Sequence, residues 1–174
     1  MKNKNLNAAV IILTSLFLLS AKQVSPSPLL SGYSFGWYDL YTYAKKGDLQ
    51  MATAIYQKAK GKSVETYTIT GTRSSVRIKV AENLLAADIS QSPNADPSTT
   101  IELYKLAVDA NNRYYSPTNT ASSTYSKINF TVKTGGTLVR INFSSPLAPG
   151  EYVFIDKTTT ATNGNVTVWT FGID

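Results

Sequence analysis

The sequence predicts an all-β fold, an antiparallel β-sandwich of Ig-like or jelly-roll-like form with at most one short helix. Three observations carry this. From Ser63 onward, apolar and polar residues alternate with a period of two; turns rich in glycine, proline and asparagine separate the runs; and the last run is apolar on both of its faces. Nothing recurs at a fixed period, which excludes a solenoid or a propeller.

The elements follow in order. "YSFGWYDLYTYA" (Tyr33 to Ala44) is dense in aromatics and reads as a first strand or an edge-covering segment. "DLQMATAIYQKAKG" sets Leu49, Ala52, Tyr56 and Ala59 at helical spacing, with Asp48 as a cap and Gly61 as a stop, so residues 48–60 are expected to be helical. The competing reading alternates Met51, Thr53 and Ile55 along a strand. "SVRIKV" points Val76, Ile78 and Val80 one way and Arg77 and Lys79 to the wet side. "SKINFTV" and "TLVRINF" alternate likewise, and Gly135-Gly136 between them marks a tight hairpin. Residues 97–110 carry both signals. Asp96-Pro97 opens a helix well, whereas Thr99, Thr100, Ile101 and Val108 favour strand, and the balance falls to strand. "PLAPGEY" is a turn into the strand "EYVFI", and Asn163-Gly164 is a second hairpin signal. In "VTVWTFGID", Val166 and Val168 occupy one face, and Trp169, Phe171 and Ile173 the other. Such a strand belongs inside stacked layers, so this ending is expected to be paired and packed.

The first 21 residues have the build of a cleaved secretory signal. Lys2 and Lys4 precede the apolar run Leu6 to Leu19, and Ser20 and Ala21 form a small-residue exit. The run falls short of the roughly 20 apolar residues that cross a bilayer, and no later stretch approaches that length, so the mature chain has no transmembrane span. Residues 22–32, with Pro26 and Pro28 among serines, read as a linker or extended arm, and 33–174 as a single domain. The chain has no cysteine, which closes the lipoprotein route and leaves a domain that stands on its core without disulfides. Export without cysteine fits a bacterial periplasmic, surface-associated or extracellular protein. The net charge of +6 and the lysines between 45 and 62 read as a solvated face. The chain has only four arginines and no aromatic-basic interleaving, which speaks against nucleic acid.

"PLAPGEY", the terminal "FGID", "SSVRIK" and "DPSTTIELYKL" together resemble a group of exported bacterial β-rich proteins of unassigned function, over about Tyr33 to Asp174. The resemblance implies export and a β fold, and brings no catalytic or binding residue with it.

Zero histidine removes the Ser-His-Asp triad, the imidazole base and histidine metal sites; zero cysteine removes thiol nucleophiles and thiolate metal sites. No phosphate loop, S-x-x-K motif or EF-hand is complete, so no catalytic residue, metal or cofactor is assigned. A carboxylate-only, polysaccharide-acting enzyme survives as a distant third reading. It requires two carboxylates about 5–10 Å apart in a cleft. Glu102 and Glu151 lie in strand-like surroundings, but they read better as wet-face or sheet-edge residues. Aromatics are the remaining resource. Tyr114 and Tyr115, in the polar loop "NNRYYSPTNT", and Trp37 and Tyr38, beside Tyr41 and Tyr43, are the candidate ligand-binding residues, against the competing role of tyrosine in cross-strand pairing. The expected function is a non-catalytic envelope or surface module that binds or builds, with an envelope protein or polysaccharide as partner. A self-assembling surface subunit is the alternative.

Overall fold

The computed structural model describes residues 33–58, 65–79, 83–89, 96–117, 125–136, 138–159, 161 and 163–174. The expected signal segment, 1–21, and the expected linker or arm, 22–32, lie outside the described residues. So do Ala59, Gly61, Val80 and residues 118–124.

The chain is an all-β sandwich. Its strands begin with β1 (Tyr33–Asp39), β2 (Lys45–Asp48), β3 (Gln50–Lys58), β4 (Glu65–Thr70), β5 (Arg77–Ile78) and β6 (Asn83–Ile89). A four-residue helix, α1 (Pro97–Thr100), runs straight into β7 (Ile101–Lys105), and then come β8 (Ala107–Val108) and β9 (Asn112–Tyr115). The remainder is β10 (Ser126–Lys127), β11 (Thr131–Gly135), β12 (Leu138–Asn142), β13 (Gly150–Asp156) and β14 (Asn165–Ile173). The smaller sheet has the order β11-β12-β6-β1-β2. The larger runs β10-β7-β13-β14-β3-β4-β9-β8, with β5 lying parallel to the end of β14.

The main core is the space between the two sheets. Tyr33, Phe35, Leu85, Val139 and Ile141 of the smaller sheet face Ile101, Leu103, Tyr152, Phe154, Trp169 and Phe171 of the larger. Alternation along each strand aims these side chains inward, and aromatic stacking fixes the interlock: Phe35 and Phe154 lie 4.8 Å apart with rings near parallel. A second core holds the opposite parity of the same strands, with Tyr104, Val153, Ile155 and Val168 meeting Ala54, Ile69 and Tyr115. It exists because the larger sheet curls. Tyr104 of β7 stacks on Tyr115 of β9 at 5.1 Å although β13, β14, β3 and β4 stand between those strands in the sheet. Only Leu106 separates β7 from β8, which pairs with β9, so the chain itself closes the curl.

Strands β13 and β14 therefore separate two cores, and β14 divides its side chains as the sequence predicts: Val166 and Val168 to the second core, Trp169, Phe171 and Ile173 to the main one. The β11–β12 hairpin is also where the glycine pair places it, with Gly135 opposite Leu138 and Gly136 at φ +63°. Both signals at residues 97–110 are real. Asp96 caps α1 by accepting from the Ser98 N–H at 2.9 Å, and the strand begins at once after Thr100.

Three segments differ from expectation. Residues 50–58 are strand, not helix, because β3 is paired along both edges, by β14 and β4; that pairing overrides the helical preference of its alanines, which pack as small residues under the curl. "SVRIKV" yields only the short β5, and Arg77 is half-buried against an acidic pair and not on a wet face. "SKINFTV" switches sheets: Ser126–Lys127 extends the larger, Thr131–Gly135 the smaller, and Ile128 and Phe130 pack against the main core in between.

Candidate binding surface

The turn joining β1 to β2 is where large apolar side chains gather in solvent. Leu40, Tyr41 and Tyr43 are 38%, 79% and 48% exposed. The turn is nonetheless braced. Asp39 Oδ1 accepts from the N–H groups of Tyr41 at 3.0 Å and Thr42 at 2.8 Å, its Oδ2 meets Lys46 Nζ at 3.0 Å, and its carbonyl accepts from the Tyr43 N–H. The Thr42 N–H, then Lys46 and the Tyr41 N–H, hold the Asp39 carboxyl well below the usual carboxylate range. Tyr43 sits at φ +57°, uncommon for a bulky residue, and the Arg140 guanidinium lies 4.0 Å over its ring.

The base of the turn explains how Lys46 reaches inward. Trp37 pairs with Gly47 and Tyr38 with Lys45, so Lys46 is the extra residue of a β-bulge, which bends the strand and re-aims the side chain. Gly47 has no side chain because a Cβ there would stand 2.9 Å from the Trp37 indole nitrogen. Asp39 and Lys46 thus brace the turn, with the Lys46 ammonium 6.0 Å from the Trp37 ring; Arg140 separately covers the Tyr43 ring, and Tyr41 is left exposed.

The four sequence candidates fall on two sheets. Trp37 is half-buried and packs against the main core, whereas Tyr38, the next residue, lies on the opposite face of β1 over Gly36 and is 5% exposed. Tyr114 and Tyr115 are on strand β9 and not in a loop. Tyr115 is 1% exposed, stacked between Tyr67 at 5.2 Å and Tyr104 at 5.1 Å, and burial pushes its hydroxyl strongly up in pKa, so it offers no surface to a ligand. Tyr114 is half-buried, edge-on to Tyr125. For this pair the cross-strand role of tyrosine prevails. Tyr41 and Tyr43, which share the aromatic segment of Trp37 and Tyr38, are the exposed ones.

Glu151 is not a wet-face residue either. It is 6% exposed within an ionic cluster that joins β13 to the loop before β5 and to the end of β14. Its Oε1 pairs with Arg77 Nη1; its Oε2 accepts from Arg113 Nη1 at 3.3 Å and from the Ser74 N–H at 2.7 Å. Arg113 is 1% exposed, and its Nε donates to the Gly71 carbonyl at 3.0 Å. Burial pushes the Arg113 guanidinium down in pKa, and Glu151 opposes that shift. Arg77 also binds Asp174, through Nη2 at 2.6 Å and Nε at 3.2 Å, which raises the arginine and lowers the carboxyl. A Cβ at Gly172 would fall on the Arg77 guanidinium, so glycine there lets the arginine cross the strand. Every oxygen of Glu151 is engaged, and Arg77 stands between it and Asp174. Glu102 stands opposite Ile155, four residues along β13 from Glu151, which is about 13 Å of strand.

This cluster was missed in the sequence, although two signals mark it: arginine is scarce, and Glu151 opens an otherwise apolar run. Among the described residues no group of three or more acidic, histidine or cysteine side chains is placed to hold a metal, and no helix is long and apolar enough to cross a membrane. Compared with protein-family models, with curated proteins and with solved structures, the chain matches none.

Proposed function

We propose that this chain is an exported, non-catalytic β-sandwich protein of the bacterial cell envelope or surface, and that it binds an envelope protein or polysaccharide through the Leu40–Tyr43 turn. The observation that carries the reading is the braced exposure of Tyr41 and Tyr43. A flexible turn loses conformational entropy when it binds; this one is already held by Asp39, Lys46 and Arg140. Tyrosine presents a rigid, amphipathic face suited to a sugar ring or a partner side chain. Export rests on the basic, apolar and small-residue succession of residues 1–21. The engagement of Glu151 and Asp174 by arginines, and of Glu102 by lysines, supports a structural use of these carboxylates.

The test is cell fractionation combined with in-cell amine crosslinking of the native protein and of Tyr41→Ala/Tyr43→Ala. The expected result is a chain beginning at Lys22 in the exported fraction, with a discrete heavier species that the double variant lacks. A chain retained in the cytoplasm with Met1 intact, or a crosslinking pattern identical in both proteins, overturns the proposal.

A further inference from the structure

At the β10 end of the larger sheet, two grooves share Lys127, Ile128 and Asn129. One, about 280 Å³, adds Lys105 and Phe143; the other, about 390 Å³, adds Lys157, Glu102 and Phe130. Their shared rim is fixed by the pairing of Lys127 with Tyr104 across β10 and β7 and by the Ile128 N–H, which donates to the Leu103 carbonyl at 2.8 Å. Phe130 and Phe143 are half-buried and packed against the main core, so each groove has an aromatic wall that does not have to be ordered on binding.

The charges are out of balance. Lys127 at 2.7 Å and Lys157 at 3.5 Å share a single oxygen, Glu102 Oε1, while Glu102 Oε2 accepts from the Tyr104 hydroxyl at 3.0 Å. Among the described residues no ion pair reaches Lys105. Its stem lies across Gly150, where a Cβ would stand 2.8 Å from Lys105 Cε. Three ammonium groups therefore border the grooves with one carboxylate between them.

We propose that this pair of grooves binds an acidic glycan, a chain of sugars bearing carboxylates, with one sugar ring on each phenylalanine and the carboxylates on Lys105 and Lys157. The two volumes suit neighbouring sugar units, and the walls complement what such a unit carries: phenylalanine for its apolar ring face, polar groups for its hydroxyls and ammonium groups for its negative charge. Three lysine heads against one carboxylate call for a negatively charged ligand, and the phenylalanine walls call for apolar ring faces between its charges. This site lies on different strands from the Leu40–Tyr43 turn and stands whether or not that turn binds.

The experiment is a calorimetric titration of the mature chain with an oligogalacturonate of about four units, its neutral galactose counterpart and single-stranded DNA of similar charge. The expected result is binding of the acidic oligomer alone, weakening as salt rises. Lys105→Gln/Lys157→Gln keeps the Lys127–Glu102 pair, and is expected to lower the affinity about tenfold with an unchanged unfolding midpoint. Tyr41→Ala/Tyr43→Ala is expected to bind the oligomer as the native protein does, which separates failure of this site from failure of the turn. Absence of binding, equal binding of the neutral oligomer, tighter binding of DNA, or native affinity in the lysine variant overturns the proposal.

Discussion

Replacing Glu151 by alanine isolates what the buried ionic cluster does. The Glu151 side chain is 7% exposed and neutralises Arg113, whose side chain is 2% exposed. Without the carboxylate, the Arg113 guanidinium keeps only the Gly71 carbonyl among its hydrogen bonds in the described residues, and the Ser74 N–H loses its 2.7 Å acceptor. Arg77 fares better, because Asp174 still holds it at the surface. Stranding one partner of a buried pair costs about 3–5 kcal/mol, since the remaining charge stays out of water uncompensated. In a chain of 174 residues that corresponds to a fall in Tm of about 6–20 °C. The control is Asp48→Ala. It removes the pair with Lys45, whose side chains are 69% and 38% exposed, and is expected to cost under about 1 kcal/mol. Urea unfolding of the native protein and both variants reads the difference directly. An Asp48→Ala loss equal to that of Glu151→Ala, or a Glu151→Ala loss below about 1 kcal/mol, refutes the reasoning that burial makes this network costly to break.

Two further predictions concern the same architecture. Gly172→Ala drives a methyl into the Arg77 guanidinium, and is expected to destabilise by about 1–3 kcal/mol through displacement of that arginine; a neutral substitution in the same urea assay refutes the crossing. In acid, Asp39 and Asp174 act alike: each folded-state pKa lies below its ordinary value, so each adds stability that is present above the unfolded pKa of about 4 and lost as pH falls through the folded value. Asp39→Asn is therefore expected to be less stable than the native protein at pH 7, with the gap closing as pH drops below about 4; a gap independent of pH, measured by thermal unfolding, contradicts this.

What could be read from sequence alone follows from how local each signal is. Strand β14 was legible because five apolar residues of two parities sit in one short run, and the β11–β12 hairpin because two glycines meet at its turn. Strand β3 was misread because alanine serves a helix as well as a tightly packed strand, and the decision lies with partners more than a hundred residues away in β14. Tyr115 sits among asparagines, serine and proline that suggest a loop, yet the curl of the larger sheet brings it onto Tyr104. The ionic cluster draws on residues 73–77, 113, 151 and 174, which no window of sequence places together. At the candidate turn, the aromatic density was visible, but which of its rings face solvent was settled by the Lys46 bulge and by Asp39.

The most direct measurement of the central claim is co-sedimentation of the purified mature chain with isolated cell-envelope material, alongside Tyr41→Ala/Tyr43→Ala. Both proteins are first checked for the same unfolding midpoint. If the braced turn is the binding element, the native chain pellets with the envelope and the double variant is at least about tenfold weaker. Equal pelleting of the two, or a native chain that stays in the supernatant, contradicts it.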